Sequence, residues 1–168
     1  MTDTSETLES YDVVVTRTFE APVSVVWQAW TDGEQVKRWW GPRPFTAPVA
    51  RMDVRAGGTS LVCMRAPKEM GGQDYYNTWT YSEVVPNERL EYVLNFADQH
   101  GATIDPRQLG LPPGIPLAVP HVVTLKAVGA GRTEMTVSES GYTTNQARDI
   151  SKAGLEQCLD KMAETFAT

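Results

Sequence analysis

The chain is poor in the residues that carry most metal and redox chemistry: two cysteines, Cys63 and Cys158, and two histidines, His100 and His121, in 168 residues. The cysteines are too few and too far apart for a disulfide framework or a metal knuckle, which fits a reducing compartment. Neither histidine has a Cys or His at ligand spacing, so neither a metal nor a cofactor is expected. Basic clusters are also missing. With 21 acidic against 15 basic residues, a net charge of -6 and a pI near 4.9, the chain lacks the counterion-releasing surface that nucleic acid requires. No apolar run is long enough for a membrane span. The opening MTDTSETLES has neither the basic start nor the apolar stretch of a signal peptide, so export is not expected and a cytoplasmic location follows by elimination. Nucleophile elbows, phosphate-binding glycine loops and paired-cysteine motifs are absent as well.

What remains is ordinary in bulk, 41% hydrophobic and 21% charged, and long enough for one domain with a sizeable core. We expect residues 11–168 to form that domain and residues 1–10, polar and acidic, to be a disordered tail. Tyr11 to Glu20 alternates in the manner of a strand rich in β-branched residues. Ala21-Pro22 then opens a short helix with Val23, Val26, Trp27 and Trp30 at helical spacing. Asp32 is placed to cap a second one, Glu34 to Trp40, which Gly41-Pro42 must end because proline lacks an amide donor. From Phe45 the period falls to two, broken by Gly57-Gly58, Glu69 to Gln73, Pro86-Asn87 and Gly129 to Gly131. The expected strands are 46–55, 59–66, 74–85, 89–97, 119–128 and 132–141, joined largely as an antiparallel meander. A Pro- and Gly-rich connection between Asp98 and Ala118 is longer than a turn needs, the length of a pocket cover or an edge cover.

The last segment returns to a helical period. Ala147, Ile150, Gly154, Cys158, Met162 and Phe166 recur at three- and four-residue steps, joined by Leu155 and Leu159. The opposite face carries Arg148, Lys152, Glu156, Asp160, Lys161 and Glu164, which reads as solvated surface. Gly154 lowers helix propensity, and close approach to a neighbouring surface is its expected reason. The order β-α-α-β6-α is that of an α+β domain in which a curved antiparallel sheet wraps a long C-terminal helix. A single cylinder fills a strongly curved concave face poorly, so a cavity between helix and sheet is expected.

The stretches FEAPVSVVWQAWTDGEQVKRWWGP, DVRAGG, YSEVVPNERLEY, GRTEMTV and GLEQCLDKMAE, in this order, resemble the activator-of-heat-shock-ATPase-like branch of the START-like (SRPBCC) superfamily. The likeness runs from Tyr11 to the end. It implies a helix-grip fold with a hydrophobic cavity under the last helix. The superfamily includes carriers of lipids, hormones and polyketides as well as cyclases and hydratases, and the branch takes its name from a chaperone-activating protein linked to stress response.

Candidate site residues follow from pairing. With a turn at Gly129 to Gly131, Leu125 opposes Met135, Val123 opposes Val137, and His121 opposes Glu139 on one apolar face. This sets an imidazole beside a carboxylate at one end of the pocket, able to anchor a polar group or to serve as acid and base. In the strand 74–85, Tyr75, Asn77, Trp79 and Tyr81 share the face better suited to reading a ligand, unless a bulge swaps the two faces. Met64, Leu155, Leu159, Met162 and Phe166 are pocket-lining candidates. Trp39 and Trp40, being adjacent, must face two different environments, and one of them is expected to see a ligand.

Three readings follow. The first is a binding protein for a small hydrophobic or amphipathic molecule. The second is a cyclase-, dehydratase- or hydrolase-type enzyme using the same cavity, with His121 and Glu139 as the catalytic pair. The third is a chaperone-linked interaction module, whose partner would be a chaperone.

Overall fold

The computed structural model describes residues 11–167; the expected tail at residues 1–10 lies outside the described residues. β1 (Tyr11–Phe19) is followed by α1 (Val23–Thr31) and α2 (Gly33–Trp39), then by β2 (Thr46–Arg51), β3 (Thr59–Arg65), β4 (Asp74–Val85), β5 (Arg89–Ala97), β6 (Ala118–Gly129) and β7 (Arg132–Tyr142), and last by α3 (Asn145–Phe166). The seven strands form one antiparallel sheet in the order β1-β7-β6-β5-β4-β3-β2. The two short helices therefore carry the chain from one edge of the sheet to the other. The helix α3 packs along β1 and β7 and against α2, and so closes the curved face of the sheet.

The element order is the expected one, and the differences in detail have local causes. β2 stops at Arg51, short of 55, because Asp53 and Arg55 enter a tight turn: the Asp53 amide donates to Ser60 Oγ at 3.0 Å and the Gly58 amide to the Arg55 carbonyl at 2.8 Å. Gly58 is needed there, since a Cβ would fall 2.4 Å from the Asp53 carbonyl oxygen. Asp32 does cap α2, its carboxylate accepting from the Glu34 amide at 3.0 Å, although the helix begins and ends one residue early. The bulge in β4 falls between Tyr81 and Glu83, beyond the aromatic run, so Asn77, Trp79 and Tyr81 keep one buried face.

The core is aromatic at its centre. Trp39 is fully buried, donates its indole N–H to the Ala29 carbonyl at 2.7 Å and meets Trp30 edge to face at 4.7 Å. Burial of rings of this size contributes a large share of the apolar stabilisation. Trp79, Tyr92 and His121 form a stacked column across β4, β5 and β6, with ring separations of 5.0 and 4.8 Å.

The polar face of α3 is less solvated than its sequence suggests. Arg17 of β1 reaches it through Asp160 at 2.9 Å and the Glu156 carbonyl at 3.2 Å, and Arg43 pairs with Glu164. Lys161 is half-buried and donates to the carbonyls of Gly41 at 2.8 Å, Phe45 at 3.3 Å and Trp40 at 3.4 Å. The helix is thus tied to the Trp-Trp-Gly-Pro corner by a lysine whose spacing marked it as surface. Burial pulls the Lys161 pKa below its ordinary value.

The long connection is stitched down at several points. Gly114 accepts at its carbonyl from the Thr143 amide at 3.0 Å, and the Leu117 carbonyl accepts from Asn95 Nδ2 at 2.8 Å. Gly114 also sits at φ +103, where a Cβ would lie 2.3 Å from Oγ1 of Thr144, the N-cap of α3. Gly114→Ala should destabilise the protein by about 2 kcal/mol, through left-handed strain and displacement of the cap. The midpoint of urea unfolding checks this; an unchanged midpoint would refute it.

Candidate functional site

A cavity of about 190 Å³ lies between the sheet and α3. Its floor comes from the inward positions of four strands: Met64 of β3, Asn77 of β4, Leu94 and Phe96 of β5, Val119 and His121 of β6. Period two puts Leu90, Tyr92, Leu94 and Phe96 on one face, and the last two of these reach the cavity. The roof is α3, through Ile150, Ser151, Gly154, Leu155 and Cys158. Trp40, Gly41 and Pro42 close one side, and Leu111 and Ile115 of the long connection form another wall. At the mouth, Ile150 is 49% exposed.

Gly154 lines this space, and a Cβ built on it meets nothing within 4 Å. The expectation of a close approach is therefore corrected: the glycine leaves room at the cavity instead of admitting a neighbour.

One end of the cavity is polar. His121 and Glu139 stand opposite each other across β6 and β7, with Nε2 3.3 Å from Oε2, and both are nearly buried, at 6% and 7% exposure. His121 Nδ1 donates to the Val119 carbonyl at 2.9 Å, since a carbonyl can only accept. The Nε2–Oε2 contact consequently holds a proton between imidazole and carboxyl. The second oxygen of Glu139 accepts from the Tyr142 hydroxyl at 2.7 Å. Burial, followed by the Glu139 charge and hydrogen bond, drives the Tyr142 pKa far above its ordinary value, which keeps this phenol a donor. Both imidazole nitrogens are thus engaged, and an acid–base cycle would first have to break one of these contacts. The other ionisable lining group, Cys158, has its thiol pushed up to about 12 chiefly by burial and is a poor nucleophile.

Among the residues singled out from the sequence, Trp40, Met64, Asn77, His121, Glu139 and Leu155 line the cavity. Trp39, Trp79, Tyr81, Val123, Val137, Leu159 and Met162 are buried in the filled core and do not reach it. Tyr75 packs near Phe45 at 6.1 Å, and Phe166 meets Phe19 edge to face at 5.3 Å, both away from the cavity. Trp39 and Trp40 divide as adjacency required, one in the core and one on the wall. Tyr142 is the polar residue that alternation missed: Gly141, at φ +99, and the register shift between Tyr11 and Val13 return it to the face of Glu139. Among the described residues, no three His, Cys, Asp or Glu side chains converge as metal ligands, and no helix is long and apolar enough to cross a membrane.

A curved antiparallel sheet closed by a long C-terminal helix, with a cavity between them, defines a helix-grip protein of the START-like class. The chain belongs to the family described as activator of Hsp90 ATPase homolog 1-like protein, which matches residues 20–167. Solved structures with the same fold include a protein from Chromobacterium violaceum, 24% identical with a TM-score of 0.74, covering 92% of this chain and 96% of that one. Another, from Arthrobacter aurescens, is 25% identical with a TM-score of 0.74, covering 91% of this chain and 84% of its own. A Silicibacter pomeroyi protein named AHSA1 is 16% identical with a TM-score of 0.73, covering 93% and 97% of the two chains. No protein of curated function matches this chain significantly.

Proposed function

We propose that this protein binds a small apolar or amphipathic molecule in the cavity between the sheet and α3. The observation that carries this reading is the cavity itself, about 190 Å³ with largely apolar walls and a single polar end. Its volume exceeds the roughly 150 Å³ at which an apolar protein cavity takes up benzene. The interaction-module reading would use a surface and needs no internal space, so it leaves the cavity without a role. The enzymatic reading draws on the contact between His121 and Glu139, but the engagement of both imidazole nitrogens favours anchoring over proton transfer. In the proposed role, Leu111 and Ile115 make the long connection a side wall over which a ligand must pass.

Native mass spectrometry of freshly purified protein, followed by titration with apolar probes, tests the proposal. A co-purified small molecule, or saturable uptake of one probe per chain without turnover, is the expected result. An unliganded mass together with no saturable uptake would overturn it.

A further inference from the structure

The hydrogen-bond balance at the polar end narrows the ligand class, an inference that rests on the binding reading above. The donors that face Glu139 are engaged: Nδ1 of His121 on the Val119 carbonyl, the Nε2–Oε2 proton on Glu139, and the Tyr142 hydroxyl on the other Glu139 oxygen. On the Trp40 wall the buried indole N–H has no protein acceptor, and a hydroxyl oxygen, which accepts as well as donates, can meet it. Asn77, farther along the sheet floor, uses one of its two Nδ2 donors on the Tyr76 carbonyl at 3.0 Å. Glu139 itself keeps spare acceptor capacity. A carboxylate offers about four lone-pair sites, of which the two protein donors occupy two, and the Asn77 carbonyl oxygen receives none of the protein hydrogen bonds described. The charge balance points the same way. No lysine or arginine lines the cavity, and the single shared proton leaves the His121–Glu139 pair neutral as a unit, so an anionic head group would add a buried charge that nothing compensates.

We propose that the cavity selects uncharged molecules with an apolar body and a hydroxyl hydrogen-bond donor, the phenol or alcohol class, and that Glu139 is the specificity-determining acceptor. The hydroxyl donates to the free side of the Glu139 carboxylate, and the apolar body lies against Leu94, Phe96, Val119 and Leu155. Carboxylic acids in their ionised form are excluded by the same residue that admits alcohols. The His121 proton and the Tyr142 hydroxyl hold Glu139 in place, so the acceptor is presented in a fixed direction.

Three probes of matched shape test this: naphthalene, 2-naphthol and 2-naphthoate, titrated into the full chain and followed by methyl chemical shifts of Met64, Leu94 and Leu155. The expected order is 2-naphthol tighter than naphthalene by about tenfold or more, with 2-naphthoate weaker than both. Glu139→Gln should reduce the preference for 2-naphthol over naphthalene to under about threefold. Equal binding of naphthalene and 2-naphthol, or binding of 2-naphthoate as tight as that of 2-naphthol, overturns the selectivity while leaving the cavity a binding site. Failure of all three to bind removes the binding reading and the selectivity together. The comparison on the unaltered chain decides the matter even if Glu139→Gln does not fold.

Discussion

Gly154→Leu should abolish uptake of apolar ligands while leaving the protein at least as stable as the parent. The position is in the interior of the 22-residue α3, where glycine is about 1 kcal/mol less favourable than alanine and leucine is close to alanine. Substitutions at a packed helix contact normally cost stability, but here a Cβ meets nothing within 4 Å. The new side chain projects into the cavity of about 190 Å³ and meets Leu155 and the β5 floor as apolar neighbours. Filling the space adds dispersion contacts and removes apolar surface from water. Ligand affinity should fall by at least tenfold, about 1.4 kcal/mol, because the volume it needs is taken. Gly154→Ala is the graded control, with a gain in stability and a smaller loss of affinity. Thermal unfolding and probe titration on the same samples check both halves. A leucine variant that binds as the parent does would show that ligand occupies some other place, and one that is destabilised would show that the helix cannot accept a side chain there.

The same glycine shows how far the sequence could be read. Helical spacing put Gly154 on the inner face of α3, and that was correct; what it could not reveal was whether the inner face meets a neighbour or a space. Periodicity reports direction, and space depends on how far the curved sheet stands from the helix, which no local pattern encodes. The pairing of His121 with Glu139 was legible because a hairpin turn at Gly129 to Gly131 sets every opposition along β6 and β7. Tyr142 was not, because a bulge near Gly141 breaks the alternation three residues after Glu139. For Trp39 and Trp40, adjacency dictated two environments, but the choice between them depended on the phase of a seven-residue helix against the core. Trp39 proved to be the core residue, bonded to the Ala29 carbonyl. Leu111 and Ile115 lie in a connection without periodicity, so nothing local could assign them to a wall.

Lys161→Met should destabilise the protein by about 2–3 kcal/mol, a large effect for a residue whose spacing places it with the charged face of α3. Methionine keeps the length and most of the apolar stem, so packing changes little. What is lost is the ammonium that serves the carbonyls of Trp40, Gly41 and Phe45 at once. The Trp40 and Gly41 carbonyls stand just beyond the end of α2, and that of Phe45 follows the next turn, where the Phe45 amide donates to the Pro42 carbonyl. A cation at that end also meets the negative pole of the helix. Removing a charged donor from part-buried acceptors costs the desolvation of each acceptor that water does not reach. The corner also carries Trp40 and Gly41 on the cavity wall, so the loss should be functional as well as energetic: ligand affinity should drop in the methionine variant under conditions where it remains folded. Lys161→Arg tests geometry against charge. Arginine keeps the charge but spreads its donors over a planar fork that does not match three converging carbonyls, so it should restore only part of the stability. Chemical denaturation of the three proteins at neutral pH measures the series. A methionine variant within about 0.5 kcal/mol of the parent would mean that the corner holds itself, and that the lysine is the surface residue its spacing suggests.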